Sequence, residues 1–493
     1  MSWAAFLDHL PALPEALLLV GACVLMLADA RASDRRLGYW IAQVTLLLCF
    51  LATLWVLDIS DGRRYYIFSN LFVSDTLSHL LKATCYLAVF TALVYSRQYL
   101  IDRDLMRGEF LSLLLFSLLG MMVLISANSF LTVYLGLELM SLCLYALVAL
   151  NRESPQATEA AMKYFVLGAL SSGLLLYGMS MIYGATGTLN LPEVAAKIGP
   201  LAGNIPDRTF LVFGLVFVVA GVAFKIGVVP FHMWIPDVYH GAPTPVTLII
   251  SSGPKIAAFA MAVRLLVNGL PALAADWQQM LALLALLSIA LGNITAIAQS
   301  NLKRMLAYSA IANMGFLLLG LLSGVVDGNE RNAEAAYSAS LFYIITYALM
   351  TVGAFGILLL LSRAGFDCER LDDMRGLNRR SPWYAFMMMI LMLSLAGLPP
   401  TVGFYAKFVV LSAAVNAGWV WLAVLAVILS VVGAFYYLRV VKLMYFDEPV
   451  DTAPVSGSLG ARVLMSANGL AVLIFGIFPG RLMALCYVAI ATL

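Results

Sequence analysis

Five ionisable residues lie within long apolar stretches of the chain, one of them a carboxylate and four of them lysines: Glu138, Lys163, Lys225, Lys255 and Lys407. A charged side chain at the centre of a bilayer costs about 2.5–3.5 kcal/mol on insertion scales. A desolvated lysine can give up its proton, whereas an arginine cannot. These residue types therefore indicate groups that exchange protons inside a membrane.

The basic residues inside the apolar stretches are all lysines, although the chain has 21 arginines and only 8 lysines. A fifth lysine, Lys82, belongs to this set. We expect Lys225, Lys255 and Lys407 to carry protons. For Lys82 and Lys163 a structural ion pair, or a side chain that reaches the membrane surface, is an equal alternative. Glu159 stands four residues before Lys163, which is a favourable helix pair.

Glu138 is the only carboxylate in its span, LTVYLGLELMSLCLYAL. An isolated carboxylate in hydrocarbon must find a cation or take up a proton. We expect it to pair with Lys225, so that movement or neutralisation of Glu138 releases the Lys225 proton toward Lys255 and then Lys407. The alternative is a protonated glutamate in a structural hydrogen bond. Other polar or titratable side chains could bind water or pass a proton along this route, and the sequence does not rank them. They are His232, Tyr239, His240, Thr244, Thr247, Ser251, Ser252 and Tyr405.

The elements that must position these residues are membrane-spanning helices. Of the 493 residues 62% are hydrophobic and 11% are charged, whereas a soluble domain is about 25% charged. We predict an all-α polytopic membrane protein, a single membrane domain over 1–493. Spans of about 20 apolar residues are expected near 12–29, 38–57, 71–95, 110–127, 129–150, 161–184, 209–235, 243–268, 277–298, 303–323, 336–362, 383–414, 418–445 and 463–489, which makes fourteen.

Two of these spans are predicted to be broken helices. The seventh contains KIGVVPF at 225–231, and the twelfth contains GLPPTVGF at 397–404. They are five spans apart, and an odd repeat inverts topology. We therefore expect three N-terminal helices in 1–109, inverted five-helix repeats in 110–270 and 277–446, and a C-terminal helix in 463–493. Broken helices at matching places in two repeats point to a transport site.

The distribution of basic residues predicts the orientation. The loops after odd-numbered spans carry 17 lysines and arginines, and the opposite side carries 7. Because basic loops stay in the cytoplasm, both termini are expected on the outer side. The proline-rich segment between the seventh and eighth spans then lies on the inner side.

Several kinds of site and partner are not expected on this chain. The six cysteines are scattered and form no CxxC pair, which argues against a zinc or iron–sulfur site. Neither a GxGxxG fingerprint after a strand nor a P-loop occurs. A net charge of +2 gives no electrostatic support to a nucleic-acid partner. We expect no cofactor and no metal on this chain. We also expect the chain to be surrounded by the lipid bilayer.

Three segments together with Glu138 carry a resemblance to a known family: FKIGVVPFHMWIPDVYHGAPTPVTLIISSGPK, NLKRMLAYSAIANMGFLLLG and GLPPTVGFYAKF. Over essentially its whole length the chain resembles the antiporter-like membrane subunits of respiratory complex I, the bacterial NADH–quinone oxidoreductase. The resemblance implies proton translocation through Glu138, Lys225, Lys255 and Lys407, and it adds Lys163. It also implies that flavin, iron–sulfur clusters and quinone are held by partner subunits, and that other membrane-arm subunits, including neighbouring antiporter-like ones, are partners in the bacterial inner membrane.

Related types remain as alternatives. One type within the family has a long lateral helix after its fourteenth span, which is not expected here because the sequence stops at Leu493. Another has a glutamate in place of Lys407. A subunit of a multi-subunit cation/proton antiporter is the main alternative, and a purely structural subunit of the membrane arm is a further one.

Overall fold

The structure is a computed structural model that describes residues 9–31, 35–202, 205–326, 332–451, 453, 455 and 457–493. This part of the chain folds into nineteen α-helices and one β-hairpin. In chain order they are α1 (Leu13–Arg31), α2 (Arg35–Ser60), β1 (Tyr65–Ile67), β2 (Phe72–Ser74), α3 (Thr76–Asp102), α4 (Gly108–Ile125), α5 (Phe130–Val148), α6 (Pro155–Thr186), α7 (Leu191–Ala202), α8 (Ile205–Ile226), α9 (Trp234–Gly241), α10 (Thr244–Ala262), α11 (Ala274–Ile297), α12 (Leu302–Leu321), α13 (Ala333–Leu361), α14 (Leu377–Arg380), α15 (Pro382–Ala396), α16 (Val402–Asn416), α17 (Val420–Phe446), α18 (Leu459–Ile477) and α19 (Gly480–Ala491).

The expected multi-span helical fold is confirmed. Within the described ranges, thirteen helices are long and apolar enough to cross a membrane. The twelfth expected span is divided between two shorter apolar helices, α15 and α16. Together they account for the fourteen spans that the hydropathy pattern predicts.

The centre of the bundle is formed by α10, α12 and α13. Every residue of α10 is buried, including its serines and Lys255. By contrast, α17 exposes a stripe of large apolar side chains formed by Val424, Ile428, Val431 and Phe435. Their spacing places them on one helix face, which suits contact with lipid. The buried lysine-bearing helix is therefore shielded by helices whose outer faces are apolar.

Both predicted helix breaks are present, and each begins at a glycine with positive φ. Gly227, with φ of +82°, follows the last residue of α8, and Gly397, with φ of +85°, follows the last residue of α15. Glycine adopts this conformation without the steric penalty that a Cβ brings. The helices α8 and α15 therefore end at Ile226 and at Ala396.

Several boundaries differ from the expectations. The proline-rich segment contains the short helix α9, and the expected loop at 185–208 contains α7, whose helical residues include Pro192 near its first turn. The third span starts at Thr76 because the preceding residues pair in the hairpin. The expected span at 463–489 is two helices separated by Phe478 and Pro479, since proline ends the helical hydrogen-bond pattern.

Two helix hairpins share features at equivalent positions. A Cβ on Gly120 would lie 2.4 Å from the backbone nitrogen of Met140, and a Cβ on Gly292 would lie 2.7 Å from that of Ala312. Each partner follows its glycine by twenty residues. These close approaches join α4 to α5 and α11 to α12, at matching places in the two predicted repeats. They agree with a duplication, while its inverted symmetry and the domain limits stay predictions.

Candidate functional site

The first break is held by Lys255. Its ammonium donates a 2.5 Å hydrogen bond to the carbonyl of Ile226, the last residue of α8. It also lies 5.2 Å from the centre of the Trp234 ring. The residue is 1% exposed. A buried cation thus sits on the end of a half-helix, where the backbone carbonyls have no partner in the helix.

The second break is held in the same way by Lys407. Its ammonium donates to the carbonyl of Ala396, the last residue of α15, at 2.9 Å, and to Ser430 Oγ at 3.0 Å. The Phe316 ring lies 4.8 Å from the Lys407 nitrogen. The C-terminal end of a helix carries a partial negative charge, so both breaks favour an ammonium.

The glycines leave space for these lysines. A Cβ on Gly227 would lie 2.7 Å from Lys255 Nζ, and a Cβ on Gly397 would lie 2.7 Å from Lys407 Cδ. In both breaks the glycine therefore has two functions: it permits the positive φ and it allows the lysine to reach the preceding carbonyl.

Lys225 and Glu138 do not form the direct pair that the sequence predicts. The Lys225 ammonium donates to Ser141 Oγ at 2.8 Å. Within the described part of the chain Glu138 forms no ion pair, and its buried Oε1 accepts no hydrogen bond. Lys225 is the penultimate residue of α8 and reaches the hydroxyl one turn beyond Glu138 along α5. The structure therefore brings Lys225 and Lys255 to the same break, while Glu138 forms no ion pair with any described residue.

Lys163 lies apart from the other lysines and is not buried, since 43% of its side chain is exposed. Its ammonium is 2.7 Å from Glu159 Oε1 and 2.7 Å from Asp237 Oδ2. Asp237 also accepts a 2.8 Å hydrogen bond from Arg304. Burial alone would raise the pKa of Asp237, but the hydrogen bonds from Lys163 and Arg304 outweigh it and lower that pKa. Asp237 on α9 thus joins α6 of the first predicted repeat to α12 of the second.

Lys82 forms the ion pair left open by the sequence. Its ammonium is 2.5 Å from Glu15 Oε1 in α1, and its side chain is 0% exposed. Within the bundle this pair joins α1 to α3. The contact agrees with the structural alternative for Lys82.

The sequence predicts that the buried basic residues are lysines in the spans and that the arginines lie in loops, but two further basic residues are buried. Arg264, which the sequence places on the outer side among the loops, is 1% exposed and binds Asp75 through both of its terminal nitrogens at 2.7 and 2.8 Å. Lys303, expected in an inner loop, is also 1% exposed and is 2.9 Å from Glu369. The helix α10 continues as a π-helical turn over Val263–Gly269, and this extension carries Arg264 into the protein interior.

The polar residues that the sequence could not rank are now distinguished by their partners. The hydroxyls of Ser251 and Ser252 donate to the carbonyl of Leu248, and that of Thr247 donates to the carbonyl of Tyr239. The Tyr239 hydroxyl, by contrast, is buried and has no hydrogen-bond partner among the described residues.

His240 lies near the charged groups at the start of α12. Burial is the largest cause that lowers the pKa of this histidine, and the charges of Lys303 and Arg304 act in the same direction against Glu369. The imidazole of His240 is therefore biased toward its neutral form.

The serines that accept hydrogen bonds from the lysine ammonium groups were not predicted from the sequence. Ser141 and Ser430 accept from Lys225 and Lys407. Serine in a helix commonly bonds its own backbone, so neither residue stands out in the sequence. Asp237 lies in the proline-rich segment after the first break, but its partner Arg304 is 67 residues away and no local pattern links them.

Comparison with known proteins shows the family. The transmembrane model of NADH:quinone oxidoreductase/Mrp antiporter matches residues 127–433, which include all five candidate residues. Subunit N of NADH-quinone oxidoreductase from Thiobacillus denitrificans is 58% identical over 490 residues, 99% of each chain. The subunit of the same name from Herminiimonas arsenicoxydans is 57% identical over 490 residues, 98% of each chain.

Solved structures agree. A chain of respiratory complex I from Thermus thermophilus with bound aureothin superimposes with a TM-score of 0.81 at 33% identity, over 96% of this chain and 98% of that one. A chain of the Mrp complex from Dietzia sp. gives a TM-score of 0.85 at 22% identity, over 98% and 97%, which shows a shared fold alone. The chain therefore belongs to the NADH:quinone oxidoreductase/Mrp antiporter transmembrane family, among the relatives that are subunit N of NADH-quinone oxidoreductase.

Proposed function

We propose that this chain translocates protons as a membrane-arm subunit of a redox-driven NADH–quinone oxidoreductase, with Glu138, Lys225, Lys255 and Lys407 as the proton-carrying groups. One observation carries the proposal. In each of two broken helices, a lysine ammonium donates to the carbonyl that precedes the positive-φ glycine. An ordinary membrane span needs neither the break nor the charge.

The proposed reaction at each lysine is a reversible proton transfer. An ammonium gives up one proton and becomes a neutral amine, and the next group in the line takes that proton up. Desolvation disfavours the charged form, and a nearby carboxylate or carbonyl favours it. Movement of Glu138 relative to Lys225 therefore changes which state Lys225 prefers, and the proton passes toward Lys255 and Lys407.

We place proton uptake at the inner surface near Lys163. Its exposed ammonium lies in the cluster of Glu159, Asp237 and Arg304, at the side of the bundle where α6 begins. The excess of basic residues supports this side as cytoplasmic and both termini as periplasmic. The surrounding membrane is then the bacterial inner membrane.

The redox chemistry is assigned to partner subunits, so this chain acts as a non-redox component. Flavin, iron–sulfur clusters and quinone are expected there, and the described residues contain no group of three or more His, Cys, Asp or Glu side chains that could hold a metal ion. Electron transfer then supplies energy through contact with neighbouring membrane-arm subunits, including other antiporter-like ones. Identity of 57–58% to subunits of NADH-quinone oxidoreductase favours this assignment over a cation/proton antiporter.

The test replaces Lys225 or Glu138 by alanine in the assembled complex. We expect NADH-driven proton translocation into membrane vesicles to fall while the complex still assembles. Lys442→Ala is the matched control, because Lys442 is a lysine with a 62% exposed side chain in α17. Normal pumping by both Lys225→Ala and Glu138→Ala would support the structural alternative.

Co-purification distinguishes the two transport functions. A complex with bound flavin and iron–sulfur clusters supports the redox-driven assignment. A complex made only of small hydrophobic subunits would instead support the antiporter alternative.

A further inference from the structure

Four side chains form a buried hydrogen-bonded group in the second predicted repeat, here named the hydroxyl cluster: Ser309, Asn313, Tyr343 and Tyr437. Each is between 1% and 3% exposed. Ser309 and Asn313 come from α12, Tyr343 from α13 and Tyr437 from α17. The cluster contains no charged group, although it occupies the interior of a helix bundle whose other repeat holds charges.

The bonds within the hydroxyl cluster connect all four members. Ser309 Oγ and the Tyr437 hydroxyl are 2.5 Å apart. The Asn313 amide donates to both of these oxygens at 3.3 Å, and its Oδ1 accepts from the Tyr343 hydroxyl at 2.8 Å. The Asn313 amide also donates to the backbone carbonyl of Ser309 at 2.8 Å, so that Asn313 links the side chains of Ser309, Tyr343 and Tyr437.

One end of the cluster leads to Lys407. Ser430 accepts from the Lys407 ammonium and precedes Tyr437 by seven residues, so the two side chains lie on one face of α17. Phe316 makes a second connection: its ring lies 4.8 Å from Lys407 Nζ and is stacked on Tyr343, with 6.4 Å between the ring centroids.

An unpartnered polar atom lies beside this route. A Cβ on Gly433, between Ser430 and Tyr437 on the same face, would lie 2.3 Å from Asn293 Oδ1. Asn293 accepts from the Tyr436 hydroxyl at 3.1 Å, while its buried Nδ2 has no partner among the described residues. A buried amide donor without a partner is costly unless a hydrogen-bonding molecule such as water can reach it. The absence of a side chain at Gly433 allows the Asn293 amide to pack directly against this face of α17.

The other end of the cluster leads toward Lys255. The Lys255 ammonium lies over Trp234 in α9, and Tyr239 stands five residues further along the same helix. The buried Tyr239 hydroxyl has no partner among the described residues, and its ring packs 6.0 Å from Phe355 of α13. Tyr347 and Tyr343 lie one turn apart on α13 and are both 1% exposed. Buried tyrosine hydroxyls therefore lie on both α9 and α13, and among the described residues no hydrogen bond joins that of Tyr239 to the cluster.

We propose that the hydroxyl cluster conducts protons between Lys255 and Lys407 without itself becoming charged, an inference that rests on the proposed function. A hydroxyl is both a donor and an acceptor. When Ser309 or Tyr437 accepts a proton on its oxygen from one side, directly or through water, it releases its own proton to the other side. The O–H bond that breaks is replaced by the one that forms, and rotation of the hydroxyl restores the starting state.

Asn313 is a positioning residue in this scheme, because its amide holds the oxygens but does not pass the proton. The alternative is a purely structural role, in which the hydroxyl cluster only holds α12, α13 and α17 together. A packing function requires the shape and the hydrogen bonds, whereas conduction requires a hydroxyl at the positions of Ser309 and Tyr437. Variants that separate these two requirements therefore test the proposal.

The experiment compares Tyr437→Phe, Ser309→Ala and Ser309→Thr in the assembled complex. Protons translocated per NADH oxidised and the solvent isotope effect of pumping in D₂O are measured in membrane vesicles. We expect Tyr437→Phe and Ser309→Ala to lower the proton yield severalfold and to change the isotope effect. Ser309→Thr keeps the hydroxyl and should pump as the unmodified chain does.

Tyr95→Phe is the matched control, because Tyr95 is a buried tyrosine of α3 whose hydroxyl has no partner among the described residues. It should leave the proton yield unchanged. Normal pumping by both Tyr437→Phe and Ser309→Ala would overturn the proposal, and so would equal losses in Ser309→Ala and Ser309→Thr.

Lys225→Ala is measured in parallel. It distinguishes failure of the proposed function from failure of the inference about the hydroxyl cluster. If it abolishes pumping while the cluster variants pump normally, the proposed function stands and the cluster is only structural. If Lys225→Ala itself pumps normally, the proposed function fails, and the inference about the cluster fails with it.

Discussion

In both broken helices the carbonyl before a positive-φ glycine accepts a hydrogen bond from a lysine. The two breaks differ in which helix carries that lysine. At the first break the ammonium belongs to Lys255 on the neighbouring helix α10, and at the second it belongs to Lys407 on α16, the second half of the same span. The first break therefore ties two spans together, whereas the second is closed within one span. Loss of the first contact should affect the packing of the bundle more than loss of the second.

The surroundings of the two breaks differ in charge. The first predicted repeat brings Glu138, Lys225 and Lys255 into its interior, while the second places the neutral hydroxyl cluster next to a single lysine. The two predicted repeats thus surround their breaks with different groups, ionisable residues in the first and hydroxyls in the second. The break and its lysine are thus common to both predicted repeats, whereas the neighbouring polar groups differ.

The largest expected effect comes from replacing the two lysines at the breaks by arginine. Lys255→Arg and Lys407→Arg keep the charge but block release of the proton, so NADH-driven pumping should fall by about tenfold, equal to ~1.4 kcal/mol in a barrier. Lys255→Arg should be more severe because Lys255 is almost fully enclosed by its own chain. Pumping is measured in vesicles, with Lys442→Arg as the exposed control. Unchanged pumping by Lys407→Arg would show that Lys407 need not deprotonate.

Alanine at the break glycines should give the next largest effect. A left-handed conformation costs a non-glycine residue about 1–2 kcal/mol, and at Gly227 the new Cβ would also lie 2.1 Å from Ile235 Cδ1. We expect less assembled complex and a lower melting temperature for Gly227→Ala and Gly397→Ala. Gly418→Ala is the matched control, since its φ is +85° and nothing lies within 4 Å of the added atom. Losses no greater than that of Gly418→Ala would mean that space for the lysines is unimportant.

Removal of the serine acceptors should affect the two breaks to different extents. A hydrogen bond to a charged group is worth about 1.5–3 kcal/mol. Ser141→Ala removes the hydroxyl that accepts from Lys225, whereas in Ser430→Ala the Lys407 ammonium keeps the carbonyl of Ala396. Ser141→Ala should therefore slow pumping more than Ser430→Ala. Ser117→Ala, which removes a buried hydroxyl bonded to its own helix, is the control, and the reverse order would contradict the expectation.

The smallest expected effect concerns the bridge between the repeats at Asp237. Because its pKa is lowered in the folded chain, the carboxylate contributes stability above its unfolded pKa of about 3.9, and this contribution is lost as the pH falls through the folded value. Asp237→Asn should therefore lower the thermal stability of the detergent-solubilised complex at neutral pH. The difference from the unmodified chain should shrink in strongly acidic buffer.

The exposed residue Asp58 provides the control for that measurement, since Asp58→Asn should change stability little at either pH. A difference for Asp237→Asn that grows on acidification would contradict the assignment of Asp237 as a charged bridge.

The spans and both breaks could be predicted because their signals are local. Apolar runs of sufficient length mark the helices, and glycine with proline marks KIGVVPF and GLPPTVGF. The split between α18 and α19 also has a local signal, Pro479 followed by Gly480, within an apolar run long enough to be read as one span. The hairpin at Tyr65–Ile67 and Phe72–Ser74 was missed because three-residue strands leave almost no periodic pattern.

The partners within the site could not be predicted, because they are distant in sequence. Ser141 and Lys225 are 84 residues apart, and Ser309 and Tyr437 are 128 apart. Charge complementarity predicted an ion pair between Glu138 and Lys225, yet the Lys225 ammonium donates its hydrogen bond to the Ser141 hydroxyl. Arg264 shows the same limit, since a residue counted with the outer loops is buried against Asp75.

The lysine at each break also makes the backbone sensitive to the proton. An ammonium donates a stronger hydrogen bond than the neutral amine that remains after its proton leaves. The carbonyls of Ile226 and Ala396 are the acceptors of these bonds, and each lies directly before a glycine that a small torsional change can reorient. We therefore expect that departure of the proton weakens the contact that fixes the end of each half-helix, so that the orientation of the half-helix depends on whether one nitrogen is protonated.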